Sequence, residues 1–257
     1  MKEGNLIFRV NKFIVLIFSI FILSHQTANA TQADLDSELK NYIEIFSSSN
    51  FANQRKAIES LGWAGISDPA LFDVIESKLL DLYLNKDKIS KEQAAWYAKT
   101  LALSGNPKYI PTLENVIDTG PRKIKKHAKT ALERIAQYQT WNPIITARLD
   151  VAPAGKLEES RIRNMLASSR PSLSIIGAKR IYYAHSDDRS LVELVSDKLR
   201  QDYQSVTTGV EVDQIAWFIK VLAQSGDSSY KPLLESIAND ANEKKIVRYA
   251  KKYSDYL

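Results

Sequence analysis

The chain has 257 residues, with 35 Lys and Arg against 30 Asp and Glu for a net charge of +5, three histidines and no cysteine. A chain this long buries enough surface to fold without staples, and the missing thiols exclude disulfides, thiolate metal centres and a cysteine nucleophile. So small a positive surplus leaves no electrostatic footprint for nucleic acid.

Lys2, Arg9 and Lys12 precede an apolar run from Phe13 to Leu23 that only Ser19 interrupts, and Ala28-Asn29-Ala30 places small residues at the last and third-last positions of the segment. This order predicts a secretory signal peptide over 1–30, cut after Ala30. The run is about 11 residues, against the roughly 20 that span a bilayer; an uncleaved anchor in the inner membrane is the alternative. Thr31 stands where a lipoprotein needs cysteine. The remaining chain carries 32 basic and 29 acidic residues, a net +3, and belongs in a bacterial periplasm or outside the cell.

Along that remainder the apolar period is helical throughout, with no alternating strand pattern. Leu35, Leu39, Tyr42, Ile43 and Phe46 form one stripe over about 33–47. Asp68-Pro69 reads as an N-cap followed by proline in the first turn, and Ser90-x-x-Gln93 as a capping box. Gly105-Asn106-Pro107 breaks the chain between helices. Ile124, Ala128, Ala131, Leu132 and Ile135 form a second stripe over 121–135. A short helix is expected over 143–148. Pro153 and Gly155 in "DVAPAGK" (150–156) then predict a linker, and a further helix leads the second half over 158–168.

One phrase occurs twice. "QAAWYAKTLALSGNPKYIPTLE" (93–114) aligns with "QIAWFIKVLAQSGDSSYKPLLE" (214–235), with about half the positions identical. Upstream, Ala64, Asp68, Leu71, Leu79 and Tyr83 fall on Ala184, Asp188, Leu191, Leu199 and Tyr203; downstream, "KIKKHAK" (123–129) meets "KIVRYAK" (245–251). The expectation is a tandem duplication. Its boundaries are a first lobe over 31–149, a linker over 150–157 and a second lobe over 158–257.

The segments 101–113, 222–234 and 64–75 resemble the HEAT-repeat family. Each shows a helix closing in a turn, with Gly-Asn-Pro in the first and a relaxed form in the others. "PRKIKKHAKTALERI" (121–135) is similar to that family's outer helix. The resemblance implies an all-α, HEAT-like α-α superhelix of two duplicated lobes. A single helix pair cannot shed the water from its apolar stripe, so neighbours must stack. It also implies a concave side used for docking a protein or peptide. The mixed-charge helices with an acidic excess (Asp73, Glu76, Asp81, Glu114, Asp118, Glu193, Asp197, Glu235) would line it. HEAT-like repeats occur in phycobilin lyases as well, but nothing beyond the shared repeat points to that chemistry.

The inventory for catalysis is thin. His127 and His185 lie in no metal-ligand spacing, and there is no nucleophile elbow, phosphate loop or dinucleotide fingerprint. Glu158-Glu159 and Asp187-Asp188 read as helix-start acids. The expectation is a protein that is not an enzyme, with no catalytic residues, no metal and no cofactor. Two features remain. Lys123, Lys125, Lys126 and Lys129 form one basic strip, flanked by Arg122, and Lys244, Lys245, Arg248 and Lys252 form another, flanked by Lys251. They are candidate contacts for a protein partner or for anionic lipid head groups or glycans, or else a solvated outer face. Trp96 and Trp217 match across the copies and are expected to wedge between stacked helices.

Overall fold

The computed structural model describes residues 31–257, so the export segment and its anchor alternative fall outside the described residues. Those residues form twelve α-helices and no strand: an all-α fold. In chain order the helices are α1 (31–47), α2 (Phe51–Ala64), α3 (Pro69–Leu82), α4 (Lys88–Leu101), α5 (Ile110–Thr119) and α6 (Arg122–Ile145). They continue as α7 (Leu157–Ala167), α8 (Pro171–Ala184), α9 (Arg189–Asp202), α10 (Gly209–Ser225), α11 (Lys231–Asp240) and α12 (Lys244–Ser254). No described helix is long and apolar enough to cross a membrane.

Helices this short are marginal alone and need tertiary packing. Here α2 and α6 flank α4, and α8 and α12 flank α10; α3 and α5 pack behind the first set, α9 and α11 behind the second. The predicted stripe of α6 is buried at Ile124, Ala128, Ala131 and Ile135, and that of α1 at Tyr42 and Phe46. One apolar core runs without interruption from Tyr42 to Ala250. Each fully buried Leu, Ile or Phe contributes about 1.5–3 kcal/mol from removing its surface from water, which binds the short helices together.

The helix ends follow side-chain chemistry. Asp68 caps α3 with Pro69 at the first position, its carboxylate accepting from Ala70 N at 2.8 Å. Asp188 does the same for α9 through Ser190 N and Leu191 N. The capping box expected at Ser90 and Gln93 does not form. Helix α4 starts earlier under Asp87, whose carboxylate accepts from Ser90 N at 2.8 Å, so Ser90 is inside the first turn. Asp87, three residues ahead of Ser90, is the stronger acceptor and takes that donor. The complete box is at the matched helix: Thr208 Oγ1 accepts from Glu211 N, and Glu211 accepts from Thr208 N at 2.8 Å.

The separate helix expected over 143–148 is absent as such. Helix α6 runs unbroken through Pro143 for 24 residues to Ile145. Asn142 on its last turn donates to the carbonyls of Leu103 and Ser104 at 2.9 and 3.0 Å. Asn164 of α7 then donates to the carbonyls of Ile145 and Ala147 at 3.0 and 2.8 Å, giving acceptors at the end of α6 a partner.

Residues 150–157 carry a short 3-10 turn at Leu149–Val151 and no further helix before α7. They are fastened from α1: Thr31 Oγ1 donates to Ala152 O at 2.6 Å, and Asp34 accepts from Gly155 N at 2.9 Å. One helical step on, Arg161, 2% exposed, grips Glu38 with both terminal nitrogens at 2.9 and 2.6 Å. Arg180 of α8 lies over the Trp63 ring of α2 at 4.2 Å. Helix α1, which leads the first half, thus also joins the start of the second.

Candidate functional site

The two basic strips occupy matched helices, α6 and α12. Ile124 and Ala128, and likewise Ile246 and Ala250, point to the core. That geometry sends Lys123, Lys126 and Lys129, and Lys244, Arg248 and Lys252, outward as exposed residues. Lys125 and Lys245 differ from the rest. Lys125 Nζ donates to the Asp118 carbonyl in the last turn of α5 at 2.7 Å, and Lys245 is ion-paired with Asp213 of α10. These two half-buried lysines already have internal partners.

What the strips border is more informative. Trp96 on α4 and Trp217 on α10 are half-buried, not fully wedged between helices as expected. Each packs one side on the core and offers the rest to cations. Arg55 and Lys99 lie 5.3 and 4.9 Å from the Trp96 ring, and Lys179 and Lys220 lie 5.0 and 3.9 Å from the Trp217 ring. Lys99 and Lys220 follow their tryptophans by one helical turn, so the repeated phrase carries both ring and cation. A cation over an exposed ring is worth about 0.5–1 kcal/mol.

The same lysines connect tryptophan and strip. Lys99, with Lys123 and Lys126, surrounds His127, and burial followed by these three charges lowers the imidazole pKa. Lys220 reaches the ring of Tyr249 at 5.4 Å, and Tyr249 occupies in α12 the position of His127 in α6. The second patch is richer in aromatic surface. Arg248 lies over Tyr249 and Lys252 over Tyr253, the rings of Tyr249 and Tyr253 stack at 5.8 Å, and Tyr253 meets Tyr256 at 5.6 Å. Tyr182 and Tyr183 stand edge-on to each other, and both lie against Trp217. Tyr183 is 72% exposed and Tyr256 65%.

The acidic helices behave differently. Asp73 on α3 pairs with Lys108 at 2.7 Å and accepts the Tyr109 hydroxyl at 2.8 Å, which lowers its pKa. Glu76 accepts from Thr112. These acids join α3 to the start of α5. Glu114, Asp118, Asp197 and Glu235 remain exposed.

The strongest candidate for acid–base chemistry is at the junction of α7 and α8. Glu158 accepts from Arg180, and His185 Nε2 lies 3.0 Å from the same carboxylate oxygen without hydrogen-bond alignment. Burial raises the Glu158 pKa, but bonded Arg180 and the adjacent His185 prevail and lower it. Glu159 pairs with Lys156 and Arg163. An acid held ionised by a permanent guanidinium is a poor proton donor. Neither His127 nor His185 lines the clefts at the α8 N terminus, between α9 and α10, or beside Tyr230. Among the described residues no group of three or more His, Asp or Glu side chains is placed to hold a metal ion.

Arg55, Lys99, Lys179 and Lys220 were not singled out in the sequence reading. The signal was present for two of them, since Trp-x-x-Lys recurs in both copies. The other two come from neighbouring helices, where sequence offers no register. No known protein-family model matches this chain, and neither a curated protein nor a solved structure is significantly similar to it.

Proposed function

We propose that the protein is a non-catalytic scaffold of HEAT-like helix pairs in two duplicated halves, exported to the bacterial envelope, that docks an acidic protein or peptide on its basic, aromatic helices. The observation that carries this reading is the matched pair of half-exposed tryptophans, Trp96 and Trp217, each clad by two cations beside a basic strip. Aromatic and arginine side chains supply most of the energy at docking surfaces, and the surrounding lysines steer an acidic partner and set its register. The modest net charge is no obstacle, because the positive charge is gathered locally.

A second reading, adhesion to anionic lipid head groups or acidic glycans, is favoured by Tyr183 and Tyr256, exposed in the same half as the second strip. One experiment separates the two. Fluorescence anisotropy follows a labelled poly-glutamate peptide, and co-sedimentation follows phosphatidylglycerol vesicles, each at 50 and 300 mM salt. Docking of an acidic chain predicts saturable peptide binding that weakens with salt. Binding should fall at least tenfold when Lys99, Lys126, Lys220 and Arg248 are replaced by glutamate. Binding to vesicles but not to peptide selects the second reading. Binding to neither, or binding that ignores the charge reversal, returns both strips to plain solvated surface.

A further inference from the structure

The two halves differ in how they fill the space under the turn that leads into α2 and into α8. In the first half Gln54, 1% exposed, donates its amide to the carbonyl of Ser48 at 2.7 Å and, more weakly, to those of Ile45 and Phe46. Its oxygen accepts the Tyr97 hydroxyl, and the Phe51 ring stands edge-on to Tyr97 at 6.0 Å. The matched positions in the second half are Ser174, Phe218 and Pro171. Ser174 reaches Met165 O at 3.2 Å, Phe218 has no hydroxyl, and Pro171 has no aromatic ring. Beside these smaller groups lies a cleft of about 260 Å³, bordered by Ser168, Ser169, Pro171, Lys198, Asp202 and Gln214.

Three of these side chains have no partner among the described residues. Gln214 is only 8% exposed, yet its amide makes no hydrogen bond within the chain. Its amide atoms are not among the chain's buried unpaired polar atoms, so they open onto the cleft, where a bound molecule can meet them in place of water. Lys198 and Asp202 stand one turn apart on α9 and pair neither with each other nor with any neighbour. Lysine before acid is the weaker order for a pair at that spacing. Glu211 also borders the cleft, but its carboxylate is occupied by Thr207 and Thr208. In the first half the charges are absent or used: Lys78, matching Lys198, donates to Ser48 O at 3.1 Å, and Leu82 stands at the position of Asp202.

We propose that this cleft binds a small zwitterion of the α-amino-acid type, a free amino acid or a dipeptide. Lys198 meets the ligand carboxylate, Asp202 its ammonium group, and Gln214 donates to or accepts from the atoms between. A simple anion would face Asp202, a simple cation would face Lys198, and a neutral polyol would leave both charges partly desolvated and unmatched. The volume lies below the roughly 300–1,000 Å³ of pockets for drug-sized ligands, which suits a single amino acid or two. Gln214 shares α10 with Trp217, but the proposal does not rest on the docking reading, and its test replaces other residues.

Isothermal titration calorimetry of the full-length protein against the twenty amino acids and alanyl-alanine decides it, with acetate, ethylammonium and glucose as controls. The expected result is saturable one-to-one binding of at least one zwitterion, at least tenfold tighter than any control. Lys198→Met and Asp202→Asn should each weaken it tenfold or more at unchanged melting temperature, since neither side chain has an internal partner. Lys78→Met, at the matched position of the first half, should leave binding intact. The proposal is overturned if no zwitterion saturates the protein, if a control binds as tightly, or if the two cleft variants bind like the parent.

Discussion

Ser104-Gly105 and Ser225-Gly226 turn the chain in the same way, with glycine φ of 61° and 70°, but they have different neighbours. A Cβ on Gly105 would lie 2.4 Å from Gln139 N, whereas one on Gly226 would meet nothing within 4 Å. The cause is the length of the helix that follows. Helix α6 extends to Ile145 and passes across the first turn, while α12 stops at Ser254. Both glycines answer a backbone need for positive φ. Only the first also answers a packing need, and that need comes from a residue over thirty positions away.

Substitution turns this contrast into the largest expected effect. Gly105→Ala should cost about 2–5 kcal/mol, combining left-handed strain of about 1–2 kcal/mol with overpacking of about 1–3 kcal/mol. Gly226→Ala should cost only the strain, about 1–2 kcal/mol. Urea unfolding of the two variants measures both. Equal losses would mean that α6 yields freely and that the close approach contributes nothing to the specificity of the fold.

These positions also mark what a reader of the sequence can and cannot see. The stripes of α1 and α6, the caps at Asp68 and the breaks at Gly105 and Gly226 are local: period, capping chemistry and turn geometry are written within a few residues. The run of α6 through Pro143 was not legible, because proline is a breaker by local rules and is tolerated here in the last turn, where Asn142 ties the helix to the distant Leu103 carbonyl and Asn164 binds the Ile145 carbonyl. The tie from Glu38 to Arg161 was equally hidden, since nothing local pairs residues 123 positions apart. At the candidate site the strips were readable as charge runs. That Arg55 and Lys179 lie over the tryptophans of the neighbouring helices required knowing which helix stands beside which.

A second contrast predicts a smaller effect. Tyr97 gives its hydroxyl to buried Gln54, and burial pushes the phenol pKa up to about 12; the matched residue is Phe218. Tyr97→Phe makes the first half resemble the second at this point. It should cost about 1–2 kcal/mol, because the Gln54 oxygen loses its donor while remaining buried. The double variant with Gln54→Ser, the residue found at the matched position 174, should recover part of that loss if the hydrogen bond is the cause. A recovery of zero in the double-variant cycle would assign the cost to packing of the ring instead.

The smallest effect concerns the starts of α4 and α10. Glu211 accepts from the backbone N–H groups of Thr207 and Thr208, which hold its pKa at about 2; Ser90, at the matched position, cannot titrate. A carboxyl group with a depressed folded pKa adds stability above its unfolded pKa, about 4.3 for glutamate. That contribution is lost as pH falls from about 5 toward 2. Measured against the intrinsic exchange rate, which itself falls with acid, the amides of Thr208 and Val212 should therefore lose protection over that window. In Glu211→Gln the side chain still accepts a hydrogen bond but carries no charge, so the protection should lose this pH dependence while the helix keeps its start. If the variant titrates like the parent, the acid-sensitive group lies elsewhere. Asp87 at α4, whose pKa is lowered by its bonds to Ser90, is then the group to replace next.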